Sequence, residues 1–146
     1  MPEQNPFTKT ASEYGELLIR VFTAGIALPV EGADVRIEGS EESNRDIHYF
    51  VTTDRSGLGE RIALPAPPAA LSLLPGGKKG FADYTVAVFK EGFYPVLLKN
   101  VPLFSGVTSI QTVELIPWPS YNKDEYPPPS VFDFSESEIL YAERSR

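Results

Sequence analysis

The sequence predicts an all-β protein, built as one β-sandwich of about seven strands with an extended arm at each end. Short apolar runs between residues 15 and 116 alternate with a period of two, which is the side-chain period of a strand with one buried face. Gly, Pro, Asn and Asp recur between these runs, where the chain must turn. No helical period of useful length appears before residue 135. A domain of about 100 residues with turns at this spacing is typical of a sandwich.

Seven runs supply the predicted strands, and their apolar members should face the core. The strands are expected at residues 17–22, 34–38, 47–52, 62–64, 84–89, 96–101 and 108–116. The residues predicted to be buried are Leu17, Ile19, Val21, Val35, Ile37, Tyr84, Val86 and Val88. In the run 47–52, the apolar face is expected to hold Ile47, Tyr49 and Val51, which places His48 on the solvent side.

The two ends of the chain differ in composition from the middle. Residues 1–14 are polar and are expected to form an arm, and the sandwich is expected to span residues 15–116. Residues 117–146, the C-terminal tail, carry five prolines between Pro117 and Pro129 and a net charge of −3. A run of three prolines favours an extended chain without internal hydrogen bonds, so the tail is predicted to lie outside the packed core. The order Ser135-x-x-Glu138 is that of a capping box and predicts a short helix at 135–143.

Composition and charge exclude several classes of function. The net charge of −7 argues against binding to nucleic acid or to an anionic membrane surface. No apolar run reaches the length of about 18 residues that a membrane-inserted helix needs. Cys is absent and His48 is the only histidine, so no metal site, cofactor or catalytic residues are expected. Residues 1–6 lack the basic-then-apolar order of a secretory signal, and synthesis in the cytoplasm is expected.

Several short segments stand in a fixed order along the middle region. They are Gly15–Val21, Pro29–Ile37, Thr53–Gly57, Tyr84–Val88 and Gly92–Pro95. Together they resemble the carboxypeptidase regulatory-like domain, a transthyretin-like (prealbumin-like) β-sandwich. The resemblance covers residues 15–116 and implies a single Greek-key sandwich that accompanies other modules and has no catalytic role of its own.

A second set of segments resembles one subgroup of that family, found in spore-forming anaerobic Gram-positive bacteria. These segments are 64–68, 71–73, 94–96 and 100–111. In the subgroup the domain often accompanies peptidoglycan-binding or spore-cortex modules. The resemblance therefore implies a structural, assembly role in a cell envelope or spore. A part in a phage-like or tail-like particle is an alternative setting, because such particles need no secretion signal.

The resemblance suggests two classes of enzyme for comparison, and each needs residues that this chain lacks. A zinc carboxypeptidase site uses His-x-x-Glu and a second His, but the fourth position counted from His48 holds Val51. A transthyretin-like hydrolase of a purine-breakdown intermediate relies on several histidines and a C-terminal Tyr-Arg-Gly-Ser-type motif. This chain ends Glu143-Arg144-Ser145-Arg146. We therefore expect that the protein is not an enzyme.

The tail carries the first candidate binding site. Four large apolar side chains stand within nine positions, at Phe132, Phe134, Ile139 and Leu140. Exposed apolar clusters promote association unless something covers them. These residues are therefore predicted to bind a protein partner or a second copy of the chain, with docking onto the parent sandwich as the competing outcome.

Aromatic residues outside the alternating core form the alternative site. Tyr94, Trp118, Tyr121 and Tyr126 would suit a glycan-binding or peptidoglycan-binding accessory module, because exposed rings stack on sugar faces. Trp118 has a competing interpretation, in which its ring closes the open end of the sandwich and buries apolar area there.

Overall fold

The computed structural model describes residues 13–68, 80–119 and 127–135, which form a sandwich of two β-sheets. The strands are β1 (Tyr14–Thr23), β2 (Leu28–Pro29), β3 (Asp34–Gly39), β4 (His48–Thr52), β5 (Ile62–Pro65), β6 (Ala82–Phe89), β7 (Val96–Leu103), β8 (Thr108–Leu115) and β9 (Ser130–Asp133). A 3₁₀ turn, Glu42–Asn44, follows β3. The predicted all-β fold is confirmed, and each of the seven predicted strands has a counterpart in the structure. In the described ranges, no helix is long and apolar enough to cross a membrane.

The first sheet is centred on β1. Strand β8 runs parallel to β1 along residues 16–23, while β5 and β2 pair antiparallel with the two ends of β1 on its other side. The second sheet has the order β4-β3-β6-β7-β9, in which only the β7–β9 pair is parallel. After the β3–β4 hairpin the chain crosses to β5 in the first sheet and returns as β6 beside β3. This crossing gives the Greek-key arrangement that the sequence predicts.

The core lies between the two sheets and is built from the inward positions of each strand. All eight residues predicted to be buried are at most 1% exposed. The largest of them, Tyr84, keeps its phenol satisfied because its hydroxyl donates a hydrogen bond of 2.6 Å to the carbonyl oxygen of Pro65. In the described ranges, every buried hydrophobic residue lies between Leu17 and Leu115.

Strand β4 corrects one part of the predicted core. Ile47 and Val51 are half-buried against the core, but Tyr49 on the same face is 41% exposed. The reason is position, since β4 is the edge strand of a five-stranded sheet that faces a narrower one. A period-two pattern shows which residues share a face, but it does not show whether the opposite sheet reaches far enough to cover them.

The second correction concerns the predicted tail. Ser130–Asp133 is not a free extension but the fifth strand of the second sheet, and Phe134 packs against the core cluster. The edge of β7 offers backbone N–H and C=O groups, and an extended segment can pair with them without needing an alternating pattern. The helix predicted at 135–143 lies outside the described residues except for Ser135. The N-terminal arm predicted at 1–14 also lies outside them, except for Glu13 and for Tyr14, which begins β1.

Candidate interaction site at the edge of the second sheet

The site with the clearest relation to binding is the pairing of β9 with β7. In this parallel ladder Leu97 lies opposite Val131, and Leu98 lies opposite Phe132. The ladder starts where the backbone N–H of Ser130 donates a hydrogen bond of 2.8 Å to the carbonyl oxygen of Pro95. Strand β9 follows Pro127–Pro129 directly, so these prolines lie outside the ladder, where their missing N–H groups cost nothing.

A polar contact beside the ladder attaches the end of β9 to β7. Asn100 sits where β7 has one residue more than β6, and its backbone φ of 59° lies in the left-handed region that Asn tolerates. Its side-chain Nδ2 donates a hydrogen bond of 3.0 Å to Oδ1 of Asp133. The backbone N–H and the hydroxyl of Ser135 donate to the same oxygen at 3.0 and 2.7 Å. The amide of Asn100 first, and then Ser135, hold the pKa of Asp133 below its usual value, since they bind its charged form.

The structure describes two of the four tail residues predicted to bind a partner, and their surroundings differ. Phe134 is half-buried and packs on the parent core, which is the competing outcome named for the tail. Phe132 is 55% exposed, and its neighbour Val131 is 52% exposed. Ile139 and Leu140 lie outside the described residues. Strand β9 is therefore held by its backbone ladder, by Asp133 and by one phenylalanine, while its other two apolar side chains remain open to solvent.

A groove lies beside β9, between the edges of the two sheets. Its volume is about 440 Å³. The apolar residues that line it are Ile26, Val96, Leu98, Val113, Ile116, Phe132 and Phe134, and its polar lining comes mainly from Gln111–Glu114 of β8. Ile26, one of the lining residues, has a φ of 72°, which is an uncommon conformation for a β-branched residue. The groove is thus an apolar surface that β9 forms together with β7 and β8, at one side of the sandwich.

Strand β9 also extends a row of side chains on the outer face of the second sheet. The row crosses all five strands in register and consists of Phe50, Arg36, Ala87, Leu97 and Val131. The guanidinium carbon of Arg36 lies 5.3 Å from the ring centroid of Phe50, a cation–π geometry. Sequence reasoning missed this row because it followed the inward positions. The signal was present in the outward ones, where large apolar residues replace the polar ones expected at a solvated face.

Two of the aromatic residues of the glycan alternative, Tyr94 and Trp118, are described by the structure, and their rings do not form a flat platform. Tyr94 and Trp118 are half-buried and meet edge to face, with ring centroids 5.1 Å apart and planes at 85°. The backbone N–H of Trp118 donates to the carbonyl oxygen of Gly92 at 2.8 Å, which fixes the ring on this corner of the chain. Such a pair is a packing contact, in agreement with the closing role considered for Trp118. Tyr121 and Tyr126 lie outside the described residues.

His48, the single histidine of the sequence, lies on the edge strand β4. The side chain of His48 is about half exposed, and its Nδ1 lies 3.7 Å from a carboxylate oxygen of Glu38 on the adjacent strand. Within residues 13–68, 80–119 and 127–135, no group of three or more His, Cys, Asp or Glu side chains is placed to hold a metal ion.

Comparisons with known proteins support the fold. No protein-family model and no curated protein matches the chain. Among solved structures, the chain is similar to the Bacillus anthracis TIE protein, with a TM-score of 0.51 and 16% identity over 72% of this chain. It is also similar to the catechol 1,2-dioxygenase from Acinetobacter sp. ADP1, with a TM-score of 0.51 and 10% identity over 84% of this chain. The catechol 1,2-dioxygenase from Pseudomonas arvilla C-1 gives a TM-score of 0.50 and 12% identity over 82% of this chain.

These similarities show the fold alone. The chain spans 17% of the length of the TIE protein and 58% of the length of each dioxygenase. All three share a β-sandwich with this chain, and at such identities their individual activities are not carried over. The particular family and subgroup that the sequence resembles stay a proposal.

Proposed function

We propose that this chain is a non-catalytic structural module that joins a protein partner by strand pairing at the β7 edge of its sandwich. One observation carries the proposal. A segment of the Pro-rich tail, Ser130–Asp133, occupies that edge as a parallel strand. Addition of an extended segment to a sheet edge is a recurrent mode of protein recognition, in which backbone hydrogen bonds supply affinity and side chains supply selectivity.

The way in which β9 is held supports its exchange for another strand. An uncovered edge would be a site of uncontrolled pairing, so the molecule gains from keeping β7 occupied. The occupant is only four residues long, and both Val131 and Phe132 are more than half exposed. Since most of its attachment is a backbone ladder, an extended segment of a different chain satisfies the same groups.

The proposed setting follows from the sequence resemblance. A carboxypeptidase regulatory-like domain of the subgroup from spore-forming anaerobic Gram-positive bacteria would act as an assembly part in a cell envelope or spore. A phage-like or tail-like particle assembled after cytoplasmic synthesis is the second setting. In each of them the proposed partner is a protein, because the net charge of −7 disfavours nucleic acid.

A peptide experiment tests strand addition at this edge. A fluorescent peptide with the sequence of residues 127–137 is added to the full chain and to a full chain that carries Val131→Pro and Phe132→Pro. The two prolines remove two N–H groups from the chain's own β9, which should vacate the edge. We expect the peptide to bind both chains, and to bind the proline variant more tightly, as measured by fluorescence anisotropy.

The matched control is a peptide of the same length and charge that carries the same two prolines. It keeps Phe134 and Asp133 but cannot complete the ladder, so its binding should be several times weaker. Equal binding of the two peptides, or no binding of either one to the proline variant, would show that β7 is not an acceptor for a strand supplied by another molecule.

A further inference from the structure

We infer that β9 is exchanged between two copies of this chain, so that residues 130–135 of each copy complete the second sheet of the other. The inference rests on the proposed function and names its partner, which is a second copy. Exchange of an identical element is a low-cost route to a dimer, because every contact of the closed monomer is formed again between the copies. Here those contacts are the ladder with β7, the Asn100–Asp133 hydrogen bond and the packing of Phe134.

The geometry of the connection between β8 and β9 favours exchange. The carbonyl oxygen of Ile116 accepts a hydrogen bond of 2.9 Å from the N–H of Tyr94, and the carbonyl oxygen of Pro95 accepts one of 2.8 Å from Ser130. The connection therefore leaves the sandwich and returns to it at adjacent backbone positions. In the closed monomer both ends of this connection therefore lie at one corner of the sandwich, beside residues 92–95.

The composition of that connection favours a long reach. Pro117 pairs with Phe93, and the N–H of Trp118 donates to Gly92, so residues 119–129 connect this corner with β9. Four of these residues are prolines, three of them consecutive and directly before β9. Prolines prefer an extended chain of about 3.1 Å per residue, which gives this segment a reach of roughly 30 Å when it is extended. A connection of this reach is long enough for β9 of one copy to arrive at the β7 edge of a neighbour.

The side of the sandwich where the arms would cross has the surface that an interface between copies needs. The groove of about 440 Å³ lies there, and Ile26, Ile116 and Phe132 at its edge are each about half exposed. Two copies with crossed arms bring these sides together and cover this apolar area, a gain that the closed monomer lacks. The equal negative charge of the copies opposes their approach, so added salt should favour exchange.

The absence of native cysteine permits a direct test by disulfide trapping. Leu97 and Val131 are partners in the β7–β9 ladder and both point to the outer face. Strands in a sheet lie about 4.8 Å apart, which is within the range that a disulfide spans. One full-length copy carries Leu97→Cys and the other carries Val131→Cys, and the two are mixed and oxidised. A single chain carrying both substitutions checks that the register permits the bond.

The expected result is a mixed disulfide dimer of the two variants, dependent on protein concentration and enhanced by salt. The control pairs Val131→Cys with Phe50→Cys, a highly exposed position at the far edge of the same sheet. Yields several times above this control support exchange. Equal yields, or dimers of Val131→Cys with itself only, would overturn it and indicate contact between surfaces. Peptide binding at the edge without the mixed dimer would leave the proposed function standing with a different partner, whereas loss of both would end both proposals.

Discussion

The side-chain amide of Asn100 and the carboxylate of Asp133 join two strands by a hydrogen bond of 3.0 Å. Asn100 reaches Asp133 because β7 has one extra residue at this point, which gives Asn100 its left-handed backbone. Asp133 in turn accepts the N–H and hydroxyl of Ser135, where the chain leaves the sheet. The extra residue of β7 and the end of β9 are therefore joined as one structural unit. The attachment of β9 should depend in part on the charge of the Asp133 carboxylate.

Acidification should weaken the attachment of β9. The pKa of Asp133 is lowered in the folded chain, so its contribution to stability is present above the ordinary pKa of an Asp and is lost as the pH falls through the lowered value. We expect amide protection in residues 130–133 to decrease in that pH range while β3 and β6 stay protected, measured by hydrogen exchange. In Asn100→Ala the pKa of Asp133 should move back toward its usual value, which carboxyl NMR would detect. An unchanged pKa in that variant would contradict the assigned cause.

The phenol of Tyr84 should make the sandwich sensitive to alkaline pH. Burial raises the pKa of Tyr84 from 10.0 to about 12. Because the unfolded chain loses this proton first, the contribution of Tyr84 to stability should be constant below pH 10 and should fall between pH 10 and 12. Tyr84→Phe should remove that slope and cost about 1 kcal/mol at neutral pH, since the carbonyl of Pro65 loses its donor. Urea unfolding across pH measures both effects.

The matched control for Tyr84 is Tyr14→Phe, because Tyr14 is an exposed residue at the start of β1. At neutral pH, the free energy of unfolding of this variant should equal that of the parent within experimental error. A loss of stability in Tyr14→Phe equal to that in Tyr84→Phe would mean that the effect does not come from the buried hydrogen bond.

Truncation in the core should be far more costly than truncation on β9. Val86 is fully buried between the sheets, so Val86→Ala should lower the free energy of unfolding by about 2 kcal/mol through lost transfer energy and a cavity. Val131→Ala removes the same atoms from a half-exposed position and should change stability by less than about 0.5 kcal/mol. Denaturant titration of the two variants gives the comparison. Similar losses would mean that β9 is packed as tightly as the core.

Deleting residues 127–146 should leave a folded sandwich. The described core residues all lie between Leu17 and Leu115, so the deletion removes none of them. Val96 and Leu98 lose their cover and the β7 edge becomes unpaired, so melting should remain cooperative at a slightly lower temperature. Deleting only residues 136–146 is the control, and it should preserve the melting temperature. Loss of cooperative melting in the longer deletion would make β9 an obligatory part of the domain.

The seven predicted strands and the buried residues could be found because their information is local. An inward-facing set such as Leu17, Ile19 and Val21 has to alternate with residues that tolerate the opposite face. Strand β9 gives no such signal. Its two central residues, Val131 and Phe132, are both apolar and both exposed, and its attachment depends on backbone groups and on Asn100, which is distant in the sequence. The exposure of Tyr49 likewise depends on the width of the opposite sheet.

Within the candidate site, the sequence indicated the right segment but not its geometry. The apolar content of the tail predicted contact, and the structure divides it between Phe134 on the parent core and Phe132 at the groove. The outer row from Phe50 to Val131 also needs the register of five strands to be known. Register between distant strands is set by tertiary packing, so no pattern within one segment predicts it.

The parallel pairing of β1 with β8 affects the order in which the strands can fold while the protein is synthesised. The hydroxyl of Thr23 donates a hydrogen bond of 2.6 Å to the carbonyl oxygen of Leu115, across a sequence separation of 92 residues. During synthesis, β3, β4, β6 and β7 can assemble their sheet as they emerge from the ribosome, whereas β1 must wait for β8. The edge of β1 that pairs with β8 stays open over most of translation. Closure of that ladder should therefore be the slow step of folding, and a nascent chain stalled before residue 108 should be the form that chaperones bind.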